Sequence, residues 1–130
     1  MSPRLTGLAD LPPGVARPGY DRAAHGFGIL HLGLGAFHRA HQAVYTDAVL
    51  GSGDMRWGIV GASLRSPDTR DALAPQDGLY TVTARDGNGQ SVRVIGSGTD
   101  LLVAPEDPQA LLAAMTDPQV RIVSLTVTEK

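Results

Sequence analysis

The chain has no cysteine, which removes disulfides, thiolate nucleophiles and cysteine-ligated metal from its chemistry. That absence is compatible with a reducing cytosol. The amino terminus shows no apolar core of signal-peptide length, so a cytoplasmic location is expected. Long apolar runs are missing too, and no membrane span is expected. Charge of one sign is scarce: the formal net charge is −2, with acids and bases mixed along the chain. Neither nucleic acid nor an anionic membrane surface is therefore expected as a partner. Lysine and asparagine occur once each, as Lys130 and Asn88. With 130 residues and 42% hydrophobic side chains, the chain suffices for one domain with a buried core.

The most informative stretch runs from Ile29 to Gln42. Gly28 to Leu32 is a short apolar run of the kind expected for a strand buried on both faces, and Gly33 and Gly35 interrupt it. From Phe37 the apolar positions Phe37, Ala40, Val44 and Ala48 recur at spacings of three and four. This predicts one helix to about Leu50, with that face against a sheet. The turn is then a helix N-terminus, whose free amide groups and dipole suit a pyrophosphate. Gly33 suits the tight turn and Gly35 a close approach of phosphate to the backbone. His38 stands where the usual dinucleotide fingerprint has a third glycine. A methyltransferase or a module that binds nucleotide without catalysis also fits a two-glycine turn after a strand.

Before this stretch, residues 1–26 carry Pro3, Pro12, Pro13 and Pro18 and read as an extended arm that packs on the surface. After it, Gly51-Ser-Gly-Asp ends the helix and Trp57 to Ala62 forms a second strand, parallel to the first in a right-handed crossover unit. The residues after that strand, Ser63-Leu-Arg65-Ser66-Pro-Asp68, fall where such folds meet the adenosine ribose. An acid there favours NAD and arginine accommodates the 2′-phosphate of NADP. Arg65 points one way. Asp68 points the other, or belongs to the first turn of a short helix capped by Ser66 and started by Pro67.

Leu79 to Arg85 and Ser91 to Ile95 flank Asp86-Gly-Asn-Gly and predict an inserted hairpin that covers the sheet edge. Asp107-Pro108 opens another helix, with Leu111, Leu112 and Met115 on its apolar side. Val120 to Val127 is a last strand, apolar enough to be central and placed beside the first. Its end, Thr126-Val-Thr128-Glu129-Lys130, then faces the topological switch point where a cofactor would cross the sheet. The fold class is α/β: part of a doubly wound Rossmann-type parallel sheet with an inserted β-hairpin. Residues 27–130 form part of a dinucleotide-binding domain.

Four side chains invite other readings. His38 and His41, three apart, resemble a metal pair, but no intervening glutamate or thiol completes a zinc set and no metal is expected. His31 reads as a hydrogen-bonded interior histidine. Arg39 could contact phosphate or substrate, or anchor loops through carbonyls.

Four strings occur in order: Gly33-Leu-Gly-Ala-Phe-His-Arg-Ala-His-Gln-Ala, Trp57-Gly-Ile-Val-Gly, Gln76-Asp-Gly-Leu-Tyr-Thr-Val and Ser124-Leu-Thr-Val-Thr-Glu-Lys. Together they resemble the long-chain mannitol dehydrogenase family, which includes fructuronate reductase. The resemblance implies hydride transfer, without metal, between NAD, or NADP, and a sugar alcohol or sugar acid. The cofactor would lie on Gly33, Gly35, Ala36, Phe37, His38, Arg65, Asp68 and Thr128. It also implies a lysine acid/base aided by asparagine and histidine, largely from a helical C-terminal domain. Neither Lys130 nor Asn88 matches that motif, so no catalytic residue is expected in this chain. The chain is thus expected to be an amino-terminal fragment that does not turn over substrate alone.

Overall fold

A computed structural model describes residues 5, 7–8, 11–22, 24 and 26–127. Its centre is strand β1 (Phe27–Leu32), buried along its middle as the apolar run predicts. Strand β2 (Gly58–Ser63), buried at every position, pairs with it in parallel. On the other side of β1 lies β6 (Ile122–Leu125), also parallel, and β5 (Gly98–Val103) extends the sheet beyond β2. The order β5-β2-β1-β6 puts a reversal of direction between β1 and β6. That is the switch point at which open α/β sheets bind ligands. Strand β5 has no counterpart in the sequence reading. Its first half, Gly98-Thr-Asp, carries no apolar run, and at the sheet edge it does not need one.

Between β1 and β2 the expected single helix is two: α1 (Ala36–Ala40) and α2 (Gln42–Gly51). The chain breaks at His41, where φ is −125° and ψ is −84°. The His41 side chain explains the break. Its Nδ1 lies 2.7 Å from the Phe37 carbonyl, which a continuous helix would give to the His41 amide, and that amide turns to the His38 carbonyl at 3.3 Å. The buried face also differs from the expected one. Phe37, Ala40 and Ala48 are exposed, while His38, Ala43, Thr46, Asp47 and Leu50 point inward. Hydrophobic periodicity fails here because three of the five inward residues are polar, with Asp47 meeting donors inside and His38 a stacked ring.

A short helix α3 (Asp68–Leu73) starts with the Asp68 amide on Ser66 Oγ at 3.1 Å. The expected hairpin forms from β3 (Tyr80–Asp86) and β4 (Gly89–Ile95), with Asp86 opposite Gly89 and Tyr80 opposite Ile95. Its base packs into the core. Ile95 joins Ile29, Ala43 and Ile59 in the core, with Tyr80 and Val82 packed against them. The amino-terminal arm is fastened to this base: Ala16 bridges Arg93, and Arg22 donates to the Gly96 and Gly98 carbonyls at 2.9 and 3.0 Å.

Helix α4 (Pro108–Met115) has its Asp107 cap, with Oδ1 accepting from the Ala110 amide at 3.0 Å. Leu112 and Met115 remain exposed, as do Ile122, Val123 and Leu125 of β6. Expected to be central, β6 is a four-residue edge strand in this chain. Among the described residues no helix is long and apolar enough to cross a membrane.

Candidate functional site

The turn after β1 lies at the switch point and is held from both neighbouring strands. Gly33 donates its amide to the Ala62 carbonyl at 2.8 Å, and Thr126, just past β6, donates to the Leu32 carbonyl at 3.1 Å. Gly33 has φ +98°, a conformation that strains any side chain. Gly35 has ordinary extended backbone, and its requirement is space: nothing stands within 4 Å of where a Cβ would be. No side chain caps α1 and no acid lies in its first turn, so nothing local competes for the amides of Ala36 and Phe37. A phosphate group therefore fits the open side of this turn.

Leu34, between the two glycines, turns inward over β2. A Cβ on Gly61 would meet Leu34 Cδ2 at 2.3 Å, so the mid-strand glycine is what admits this side chain. The start of α3 reaches the same turn, Thr69 Oγ1 lying 3.5 Å from the Leu34 carbonyl. Arg65 and Asp68 both sit exposed on the segment that joins β2 to this contact.

His38, at the third-glycine position, does not hold the helix away from the sheet. Its ring stacks on His31 of β1 at 3.7 Å between centroids and 7° between planes. Burial, then the adjacent His31, push the His38 ring down from 6.5 to about 4. Burial also pushes His31 down, a backbone contact at Gly33 acting in the opposite sense. Both rings are thus neutral near neutral pH. His31 Nδ1 lies 2.7 Å from Ser124 Oγ and Nε2 lies 3.0 Å from Thr126 Oγ1, while Ser124 donates to Gln42 Oε1 at 3.2 Å. The expected interior role of His31 is what the structure shows.

His41 faces away from His38, exposed and stacked on Phe37 at 4.3 Å, so the two histidines do not form a metal pair. Arg39 lies with Nε 3.4 Å from the Gly35 carbonyl of its own helical turn, and its backbone carbonyl accepts from the Tyr80 hydroxyl at 2.7 Å. The structure thus gathers Gly33, Gly35, Ala36, Phe37 and His38 in one turn, with Arg65 and Asp68 beyond the end of β2. Thr128, like Lys130, lies outside the described residues. Sequence reasoning did not single out Leu34, Gly61, Thr69 or Ser124. The signals were a glycine inside an apolar strand and hydroxyls alternating along the last one.

Far from this turn, at the amino ends of β1, β2 and β6, a depression of about 840 Å³ is lined by residues that include Arg56, Trp57, Arg121 and Ile122. No helix N-terminus opens on it, and the turn is the better candidate on chemistry.

Residues 27–130 match the family model for the mannitol dehydrogenase Rossmann domain. The mannitol 2-dehydrogenase of Cereibacter sphaeroides is 50% identical over 118 residues, 88% of this chain and 25% of the relative. The polyol:NADP oxidoreductase of Gluconobacter oxydans (strain 621H) is 42% identical over 127 residues, 94% of this chain and 26% of the relative. Among solved structures, the Pseudomonas fluorescens mannitol 2-dehydrogenase ternary complex with NAD and D-mannitol matches with a TM-score of 0.86 and 48% identity, over 92% of this chain and 25% of that one. The chain spans about a quarter of the length of the relatives it matches.

Proposed function

Starting from the premise that this chain belongs to the mannitol dehydrogenase family, we propose that residues 27–130 are the NAD(P)-binding part of an oxidoreductase acting on a sugar alcohol. Sugar acids of the mannonate/fructuronate type are a finer alternative within the same chemistry. The observation that carries the proposal is the glycine turn at the reversal between β1 and β6, with open space at Gly35 and uncapped helix amides beside it. Family membership leaves the methyltransferase alternative without support.

In this reading Gly33 and Gly35 bring the backbone to the pyrophosphate, and the amides of Ala36, Phe37 and His38 face its charge. Arg65 and Asp68 meet the adenosine ribose, and the strand end at Thr126 to Thr128 borders the other half of the cofactor. The bound nicotinamide would give or take the hydride. NAD is the proposed cofactor, with NADP as the variant that Arg65 would favour. No residue of this chain is assigned the hydroxyl proton, so the polypeptide alone binds cofactor without turning over substrate. NAD-linked oxidation of mannitol, or reduction of fructuronate, by the chain alone would overturn that last statement.

The test is thermal unfolding of the purified chain with NADH, NADPH and S-adenosylmethionine. Cofactor at a hundred times its dissociation constant stabilises a competent site by about 2.7 kcal/mol. Protection by a nicotinamide cofactor and none by S-adenosylmethionine is the expected result. Equal indifference to all three from a cooperatively folded chain would remove the binding claim for this polypeptide.

A further inference from the structure

Strand β6 has little to hold it in place. It is four residues long, lies at the sheet edge, and leaves Ile122, Val123 and Leu125 44%, 48% and 59% exposed. Apolar burial therefore contributes little to fixing its carboxyl end, although that end borders the glycine turn. Beyond the backbone ladder to β1, what fixes it is polar and comes from one side chain. His31, 4% exposed, reaches Ser124 Oγ with one ring nitrogen and Thr126 Oγ1 with the other, at 2.7 and 3.0 Å. Ser124 passes the link to Gln42, the first residue of α2. The opposite face of the imidazole is closed by the His38 ring, so His31 cannot swing away from the two hydroxyls. One buried ring thus ties the end of β1, the end of β6 and the start of α2 together around the turn.

We propose that His31 is a positioning residue: it clamps the β6 end, at Ser124 and Thr126, against the glycine turn and so sets the affinity for the dinucleotide. The affinity half of this rests on the cofactor reading above. The clamping half does not.

The test uses His31→Phe, which keeps a flat ring against His38 and removes both hydrogen bonds. Ser124 keeps Gln42 and the exposed Thr126 turns to water, so the fold has no new buried orphan. Amide hydrogen exchange should accelerate at Thr126, whose amide is held by Leu32 of β1, and stay unchanged at Gly33, which is held by β2. The dissociation constant for NADH should rise about tenfold in a chain that still unfolds cooperatively. Unchanged exchange at Thr126 overturns the clamp, and accelerated exchange with wild-type affinity overturns its link to the cofactor. A wild-type chain that ignores NADH fails the cofactor reading and, with it, the affinity half, while exchange still decides the clamp. Should His31→Phe lose the fold, Thr126→Val tests the same contact from the exposed side. It should show the same local acceleration and weakened NADH binding, and wild-type behaviour in both overturns the proposal.

Discussion

Leu34 lies across Gly61, close enough that a Cβ there would sit 2.3 Å from Leu34 Cδ2 and 2.7 Å from its Cγ. The contact couples the second strand to the residue between the two turn glycines. Gly61→Ala must expel Leu34 and should cost about 1–3 kcal/mol. In the Leu34→Ala background the same substitution should cost much less, because the clashing atoms are gone. Urea midpoints for the four variants measure this, and strictly additive losses would sink the coupling.

Gly33 and Gly35 are required for different reasons, and alanine separates them. Gly33→Ala places a side chain at φ +98° and should destabilise by about 1–3 kcal/mol. Gly35→Ala meets open space on extended backbone and should leave stability within about 0.5 kcal/mol. Its methyl group stands where phosphate would approach, so NADH binding should weaken at least roughly tenfold. Wild-type affinity in Gly35→Ala would mean that the phosphate lies elsewhere.

The stacked histidines make stability depend on pH. The unfolded chain protonates these rings near 6.5, whereas folded His38 resists until about 4, and His31 is pushed in the same direction. Between those values the unfolded state binds more protons, so stability falls as pH is lowered through this window and is flat above it. His38 alone contributes on the order of 3 kcal/mol to the drop. Arg39, near the pair, opposes protonation of His38 and Gln42 favours it. Urea midpoints from about pH 7.5 to 4.5 should show the slope. His38→Phe should reduce it to the part that His31 supplies, and an unchanged slope in that variant would assign it to other groups.

Much of this was legible in the residues. Strands β1 and β2, the turn, the hairpin, the Asp107 cap and the pairing of β6 with β1 all follow from apolar runs, glycines and turn dipeptides. What was not legible depends on partners distant in sequence. The break at His41 comes from a side chain taking its own helix's carbonyl, and nothing in the hydropathy pattern marks it. The inward face of α2 is chosen by Asp47 and Thr46, which a periodicity argument places outside. Strand β5 escaped because an edge strand beginning Gly-Thr-Asp carries no apolar signature.

Asp47, 2% exposed, is held by three donors from two parts of the chain: the Tyr20 hydroxyl at 2.5 Å, and Arg93 and the Gly96 amide, each at 2.9 Å. The arm, the hairpin and α2 meet on this carboxylate. Asp47→Ala leaves the Gly96 amide without an acceptor and should cost about 2–4 kcal/mol. Tyr20→Phe removes one donor from a carboxylate that keeps two others, and about 1 kcal/mol is expected. Burial and the carboxylate together hold the Tyr20 phenol far above its usual range, so it should stay protonated until the fold is lost in alkali. Equal losses for the two variants would place the value of the site in the tyrosine, not in the carboxylate.

Cofactor choice should be decided beyond the end of β2, where Arg65 and Asp68 stand exposed a few residues apart with opposite charge. Thr69 fixes the start of α3 to the Leu34 carbonyl, so this segment is not free to move away from the turn. A 2′-phosphate here would gain from Arg65 and be repelled by Asp68, and in water each interaction at about 4 Å is worth roughly 1 kcal/mol. A ribose with a free 2′-hydroxyl needs the acid and gains little from the arginine. Asp68→Ala should therefore shift the ratio of NADPH to NADH affinity about tenfold toward NADPH, and Arg65→Ala should shift it the other way. Raising ionic strength should shrink the effect on NADPH more than that on NADH, since only the former carries the additional charge. If neither substitution changes the ratio, the discriminating side chain is not on this segment, and the ribose must be met from another strand end.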